Sequence, residues 1–306
     1  MGVGHLRLVD CDVVEASNLQ RQLLYGVNFL GYPKVEAAAR RLRELNPHIT
    51  VEPLPLSLGV DNAEGIIEGV DVVIDGLDSM TPRYALNRAC QKLGVPYVFG
   101  AAIMTFGNAS TIIPGKAPCL ECFQGNLDDD MLPKCAVVGV HPSILGIIAS
   151  VEVSEAVRLI VGQQPRLAGK LLHCDVGSLE FETVDIAKAE NCPVCGLKPS
   201  GSLMPLRQRL VSEICGRGGK RAFVIKPNEN LELDMDALYA LLKRSEFEIE
   251  VKAELGLTFF SSSYLRASIL KSGIMIIEGA ETEEEAYDFY CKIIISGLKV
   301  SKSKIE

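Results

Sequence analysis

The segment Leu6-Arg7-Leu8-Val9-Asp10-Cys11-Asp12-Val13-Val14-Glu15-Ala16-Ser17-Asn18-Leu19-Gln20-Arg21-Gln22 decides how the chain reads. Its first residues form a short aliphatic run that stops at an acid, the pattern of a buried strand in an open α/β sheet. Ligands bind outside the carboxyl ends of such strands, where an acid typically holds a ribose hydroxyl. Asp10 stands at that position. Ser17-Asn18 then open a polar turn, and Arg21 follows three residues after Asn18. Taken alone, an arginine in a turn is a solvated side chain.

Outward from this segment, apolar runs and helical patterns alternate. Gly31-Tyr32-Pro33-Lys34 starts a helix that stops at Asn46-Pro47, because the residue before a proline avoids helical geometry. A strand is expected over 49–51, a short helix over 63–69, and a continuous apolar strand over 70–75 that ends in Asp75-Gly76-Leu77-Asp78. A helix with Arg83 and Asn87 on one face precedes a strand over 97–100. Later strands fall near 111–114 and 171–175, with a helix over 142–161 between them. Alternation at these spacings predicts an α/β fold, a doubly wound, mainly parallel Rossmann-like sheet.

The domain expected over 1–200 gives way at Pro199-Ser200-Gly201-Ser202 to a linker helix (206–215) and turn within 201–219. Beyond it, 220–306 reads as a small α+β domain whose strand-helix-strands-helix order is loosely similar to a ubiquitin fold. It contains a single half-buried strand over 247–255, strands at 265–270 and 273–277, and a helix over 283–295.

Composition excludes several functions. The 306 residues carry 31 Lys and Arg against 39 Asp and Glu, a net charge of −8, so there is no basic excess to neutralise nucleic-acid phosphates. No apolar run reaches the ~18–20 residues of a membrane helix, and no signal peptide is read at the start. Ten cysteines, four of them in two CxxC pairs, fit a reducing cytoplasm and a metal better than a disulfide framework.

Those pairs, Cys119-Leu120-Glu121-Cys122 and Cys192-Pro193-Val194-Cys195, have knuckle spacing, and together they make a closed tetrahedral S₄ site without a catalytic position. A redox CxxC is the competing reading, but it belongs at a helix start after a strand. Cys135 follows a polar segment and precedes a helix, beside Lys134, where a thiolate is favoured; the alternative is a packed or merely exposed thiol. Cys11, Cys90 and Cys174 read as core, Cys215 and Cys291 as packing residues. None of the four histidines has a spaced partner, so no catalytic histidine is assigned.

The run Leu8-Val9-Asp10 through Gln20-Arg21-Gln22 resembles the second strand and following loop of the ThiF/MoeB/HesA (E1-like) family, whose members adenylate ubiquitin-like proteins. The resemblance covers about residues 3–196. It implies that Asp10 binds ribose, that Asn18, Arg21 and Gln22 lie over the phosphates of ATP, that Lys34 neutralises a phosphate and that Asp78 holds Mg²⁺. Arg21, Asp78 and Cys135 are then the catalytic set, and Cys119, Cys122, Cys192 and Cys195 bind structural Zn²⁺. Arg83 and Asn87 would support the 75–78 loop; the alternative reading of Asp78 is the N-cap of the next helix, which is compatible with the metal role. Charge builds on the α-phosphate and leaving pyrophosphate during adenylylation, and Arg, Lys and Mg²⁺ answer it.

The implied substrate is the Gly-Gly C-terminus of a ubiquitin-like or sulfur-carrier protein, with subsequent sulfur or thioester transfer, a sulfur-donor protein as further partner, and a homodimer in the cytoplasm. The family's Gly-rich GxGGxG strand-loop-helix precedes the point at which this sequence starts; the expectation is that Met1 is an internal methionine. The competing reading is a non-catalytic, zinc-containing docking subunit for a ubiquitin-like protein. An NAD-binding oxidoreductase is disfavoured because no catalytic donor set accompanies the pattern.

Overall fold

A computed structural model describes residues 2–129, 138–200, 202–206, 208–217, 219–261 and 265–306. Cys135 lies outside the described residues. The chain divides into two compact units, residues 1–57 with 209–306, and residues 58–208. The first 57 residues thus share a compact unit with residues 209–306.

In the first unit, β1 (His5–Val9) and β2 (Thr50–Leu54) pair in parallel, with His5 opposite Thr50 and Val9 opposite Leu54. Helix α1 (Lys34–Leu45) makes the crossover, and it buries Val35, Ala37, Ala38 and Ala39. Small side chains there let a helix lie close to what it covers. The rest of the unit is a six-stranded sheet of β8 (Val211–Arg217), β9 (Lys220–Ile225), β10 (Glu248–Lys252), β11 (Gly256–Phe260), β12 (Arg266–Leu270) and β13 (Met275–Glu278). Its order is β10-β11-β12-β13-β9-β8 and every pair is antiparallel.

Side chains alternate across a strand, and this sheet is apolar on both faces. Phe223, Ile225, Leu257, Phe259, Ala267, Ile269, Met275 and Ile277 share a core with Leu238 and Leu242 of the helix Met235–Arg244 and with Ala286 and Tyr290 of the helix Glu283–Cys291. Val224, Leu270 and Ile276 point the other way and pack with Val13 of the opening segment.

Two expectations are corrected here. Residues 206–215 were expected to be a helix, but β8 occupies 211–217 and pairs with β9, Val211 opposite Ile225. The sheet edge offers backbone partners to Val211 and Ile214, and tertiary pairing overrides local propensity. The single strand expected over 247–255 stops at Lys252, and the N–H of Ala253 donates to Gly256 O (3.0 Å) to close a hairpin into β11.

In the second unit, α2 (Ala63–Ile67), β3 (Val73–Ile74), α3 (Met80–Leu93), β4 (Tyr97–Ile103), β5 (Phe106–Ile112), α4 (Leu120–Gln124), α5 (Pro142–Ile160), β6 (Lys170–Asp175) and β7 (Glu180–Asp185) follow in order. The sheet runs β3-β4-β5-β6-β7, parallel between β3 and β4 and antiparallel beyond. Ile144 and Ile148 of α5 pack with Ala109, Leu167 and Cys174. The fold is mixed α/β with parallel pairs.

Candidate functional site

Asp10 caps β1. Its Oδ1 accepts from the N–H of Asp12 (2.8 Å), so the acid turns the chain at the strand end. Two residues on, Asp12 Oδ2 meets Lys34 Nζ at 2.8 Å, and the N–H of Lys34 donates to Asp12 O (2.9 Å). The loop closes like a hairpin, with Val14 N donating to Tyr32 O (2.8 Å) and Gly31 N donating to Val14 O (2.9 Å). Burial works against the Lys34 ammonium, but Asp12 and Asp10 outweigh it and raise its pKa above the ordinary lysine value. Burial, opposed by Lys34 and reinforced by Asp10 and Asp12, pushes the Tyr25 hydroxyl up to about 12; that hydroxyl donates to Gln22 Oε1 (2.6 Å).

Asn18 is buried, and its Oδ1 accepts from the N–H of Glu15 (3.1 Å). Arg21 Nη1 donates to Ser17 O (2.8 Å). Asp10, Asn18, Arg21, Gln22 and Lys34 therefore belong to one loop system in the first unit. Asp12 was not singled out from sequence; its signal was the second acid of Asp10-Cys11-Asp12.

Asp78 lies in the second unit and is exposed. The turn that carries it leaves β3 at Asp75, a fully buried carboxylate. Asp75 Oδ2 pairs with Arg83 Nε (2.9 Å) and accepts from the Tyr97 hydroxyl (2.5 Å), while Oδ1 accepts from the N–H of Leu77 (2.8 Å). Arg83 also donates to Leu77 O and to Gly100 O. Arg83 supports the 75–78 loop, as the sequence suggested.

Glu152 of α5 is buried beside this cluster. Its carboxylate lies where a side chain on Gly100 would begin, and its Oε1 has no hydrogen-bond partner among the described residues. Burial, then the Asp75 carboxylate, push Glu152 up to about 9.

Asn87 does something other than expected. Its amide donates to Glu121 and its Oδ1 accepts from the N–H of Leu120 (3.1 Å), so it holds the first knuckle rather than the 75–78 loop. Arg88 Nε completes the grip on Glu121 at 2.8 Å. Nor does Asp78 cap α3. The N-cap is Ser79 without a side-chain bond, and Asp129 accepts from the N–H groups of Met80 (2.5 Å) and Thr81 (2.9 Å) instead. A carboxylate there is favoured by the helix dipole.

The four knuckle thiols converge. Cys119 and Cys192 sulfurs are 3.6 Å apart, Cys122 and Cys195 3.4 Å, Cys119 and Cys122 4.0 Å, and all four lie within 4.8 Å of one another. Four thiolates on one zinc at ~2.3 Å stand about 3.8 Å apart, so the donor set fits that ion. A disulfide needs ~2.05 Å. Burial, then Cys122, Cys195 and Cys192, raise the Cys119 thiol. Burial also opposes the Cys192 thiolate, but the backbone N–H groups of Cys195 and Val194 hold its pKa below the ordinary value. Gly196 is required behind the second knuckle: a Cβ would meet Glu190 O, Cys192 O and Cys192 N at 2.5–2.7 Å. Cys90 and Cys174 are core residues, as expected. Among the described residues no helix is long and apolar enough to cross a membrane.

The fold resembles that of Escherichia coli MccB, solved with MccA-N7isoASN. The match has a TM-score of 0.57 and 20% identity, over 64% of this chain and 61% of that one. The chain belongs to the ThiF family, whose pattern matches residues 1–194. It is 39% identical over 197 residues to the SAMP-activating enzyme E1 of Haloferax volcanii, covering 64% of this chain and 73% of that protein. It is 30% identical over 302 residues to the sulfur carrier protein ThiS adenylyltransferase of Bacillus subtilis, covering 96% of this chain and 86% of that protein.

Proposed function

We propose that the protein adenylates the C-terminal glycine of a ubiquitin-like or sulfur-carrier protein at the expense of ATP. The observation that carries this reading is the Asp10–Asp12–Lys34 arrangement at the end of β1 in a chain whose relatives include a SAMP-activating enzyme E1 and a sulfur carrier protein ThiS adenylyltransferase. Asp10 would hold the ribose. Asn18, Arg21 and Gln22 would line the phosphates, with Lys34 neutralising one of them. For that, Lys34 turns from Asp12 to the phosphate or bridges both.

Asp78 would bind Mg²⁺, which when present neutralises the phosphate oxygens. Its exposure leaves the carboxylate open to such an ion, and Arg83 keeps its turn from wandering. The carrier's terminal carboxylate attacks the α-phosphorus, the bond to the β-phosphate breaks, and pyrophosphate leaves. The resulting acyl-adenylate is open to a thiol or to a sulfur-donor protein, and Cys135 is the candidate nucleophile of this chain. The knuckle cysteines would hold a structural zinc ion. Homodimers in the cytoplasm complete the proposal.

The test is ATP–pyrophosphate exchange with a Gly-Gly-tailed carrier of the ThiS type. Exchange that disappears with Asp78→Asn or when the carrier lacks its last glycine supports the reading. Carrier binding without exchange favours the docking subunit.

A further inference from the structure

We propose that Glu36 is a positioning residue for the nucleotide-binding loop. It fastens the first turn of α1, and with it Lys34, to the hairpin turn between β10 and β11. The inference rests on the reading of Lys34 as a phosphate-neutralising residue, and it gives the C-terminal sheet a role in the proposed reaction.

Glu36 is an acid with 3% of its surface exposed on a helix start. Its Oε2 accepts from the N–H of Leu255 (2.8 Å) and its Oε1 from the N–H of Glu254 (3.2 Å), more than 200 residues away in sequence. Arg40 Nη2 adds an ion pair at 2.6 Å. Both N–H groups belong to the turn between Lys252 and Gly256, outside the two strands, and the carboxylate supplies the acceptor that a ladder partner would supply within them. One carboxylate therefore satisfies two donors of the sheet, and charge-assisted bonds of this kind are the strong ones.

The rest of the loop is fastened to the same face. Thr258 of β11 donates its hydroxyl to Gly31 O (2.7 Å). Gly31 has φ +80°, and a Cβ on it would lie 3.0 Å from Val251 and 3.1 Å from Arg266, so backbone meets sheet with no room for a side chain. Val13 packs into the apolar patch of Val224, Leu270, Ile274 and Ile276. Beside these contacts Glu15 and Leu30 face Glu250, Arg266 and Glu278 across a cleft of about 210 Å³. The loop from Asp12 to Glu36 is thus held at its start by Val13, at its turn by Gly31 and at its end by Glu36. Lys34 is two residues from the last of these.

The experiment uses the whole chain, with Glu36→Gln and Thr258→Val as variants. Hydrogen–deuterium exchange reads the loop directly, and calorimetric titration with Mg·ATP reads its consequence. In Glu36→Gln the amide keeps one acceptor and sets its NH₂ against a backbone N–H. Exchange over 12–34 is expected to rise several-fold, and the Mg·ATP dissociation constant to rise roughly 10-fold, with kcat of pyrophosphate exchange at saturating ATP changing less. Thr258→Val moves both readouts the same way by a smaller factor, and it carries the test if Glu36→Gln loosens β12 at 266–270. Wild-type exchange rates over 12–34 in both variants overturn the fastening. Faster exchange with unchanged affinity overturns the positioning role. A wild-type chain that binds no Mg·ATP, while the variants still loosen 12–34, removes the nucleotide reading and the positioning role with it, leaving the fastening intact.

Discussion

Two turns of this molecule each leave a short strand at an acid and each lead to a residue proposed to meet the nucleotide, yet they are held by opposite means. The turn after β3 is fixed from nearby. Asp75 is clamped by Arg83, eight residues on, and by Tyr97 of the next strand, all buried. The loop after β1 is fixed from afar, by backbone donors at 254–255 and a threonine at 258. The first arrangement concentrates its free energy in one buried ion pair, whose members are costly to leave alone. The second spreads it over the two bonds to the Glu36 carboxylate and the Thr258 hydroxyl, so that no single contact carries the whole. The near turn should therefore be brittle and the far one tolerant.

The thiol cluster is the extreme of concentrated fastening, because it joins segments 73 residues apart through four sulfurs. Binding free energy of structural zinc is on the order of 10 kcal/mol and appears as folding free energy. Cys192→Ser is expected to lose the metal, read as one zinc per chain in the wild type by elemental analysis. Amide protection over 119–124 and 189–196 should vanish while the β9–β13 sheet keeps its own. A chelated protein that melts like the untreated one would break the comparison at its strongest point.

Arg83→Met comes next. It strands the Asp75 carboxylate and leaves Leu77 O and Gly100 O without their donor. Removing one partner of a buried pair costs about 3–5 kcal/mol, to be measured by urea unfolding. A loss below about 1 kcal/mol, the size expected for a single far hydrogen bond, would erase the distinction between the two turns.

Glu152 sharpens the comparison through pH. Its native pKa, about 9, lies above the ordinary value of 4.5 because of burial and then Asp75. The native state therefore holds a proton that the unfolded chain has released. Its stabilising contribution is complete below 4.5 and is lost as pH rises through about 9, with a slope of at most about 1.4 kcal/mol per pH unit. Glu152→Gln removes that slope and should be the more stable protein at pH 8.5. Parallel stability curves for the two proteins between pH 5 and 8.5 would show that the near turn carries no such burden.

The same contrast explains what sequence could show. The CxxC pairs and Asp10 at the end of an aliphatic run are local patterns, and local pattern survives in one dimension; Arg83 was legible through the family resemblance. Glu36 carried no signal, because its partners are N–H groups that any residue at 254 and 255 would supply. Residues 206–215 read as helix because nothing local told of the β9 edge waiting for them. Asn87 shared a helix face with Arg83, and the pattern could not tell that one turn of α3 separates the 75–78 loop from the first knuckle.

Asp129 gives the smallest effect and tests whether nearness or burial makes a fastening brittle. It caps α3 from 48 to 49 residues away, through two N–H groups and the Thr81 hydroxyl (2.7 Å), at a partly exposed position. It is thus distant in sequence and charged, like Glu36 in the seat of the β1 loop, but partly exposed where the Asp75 clamp is buried. An N-cap acid replaced by alanine costs about 1 kcal/mol. Asp129→Ala should fall there, well below Arg83→Met, because water can take over the released donors. A loss as large as that of Arg83→Met would mean that a charge on helix donors suffices for brittleness without burial. A loss near 1 kcal/mol, with faster exchange confined to the first turn of α3, would assign the difference between the two turns to burial.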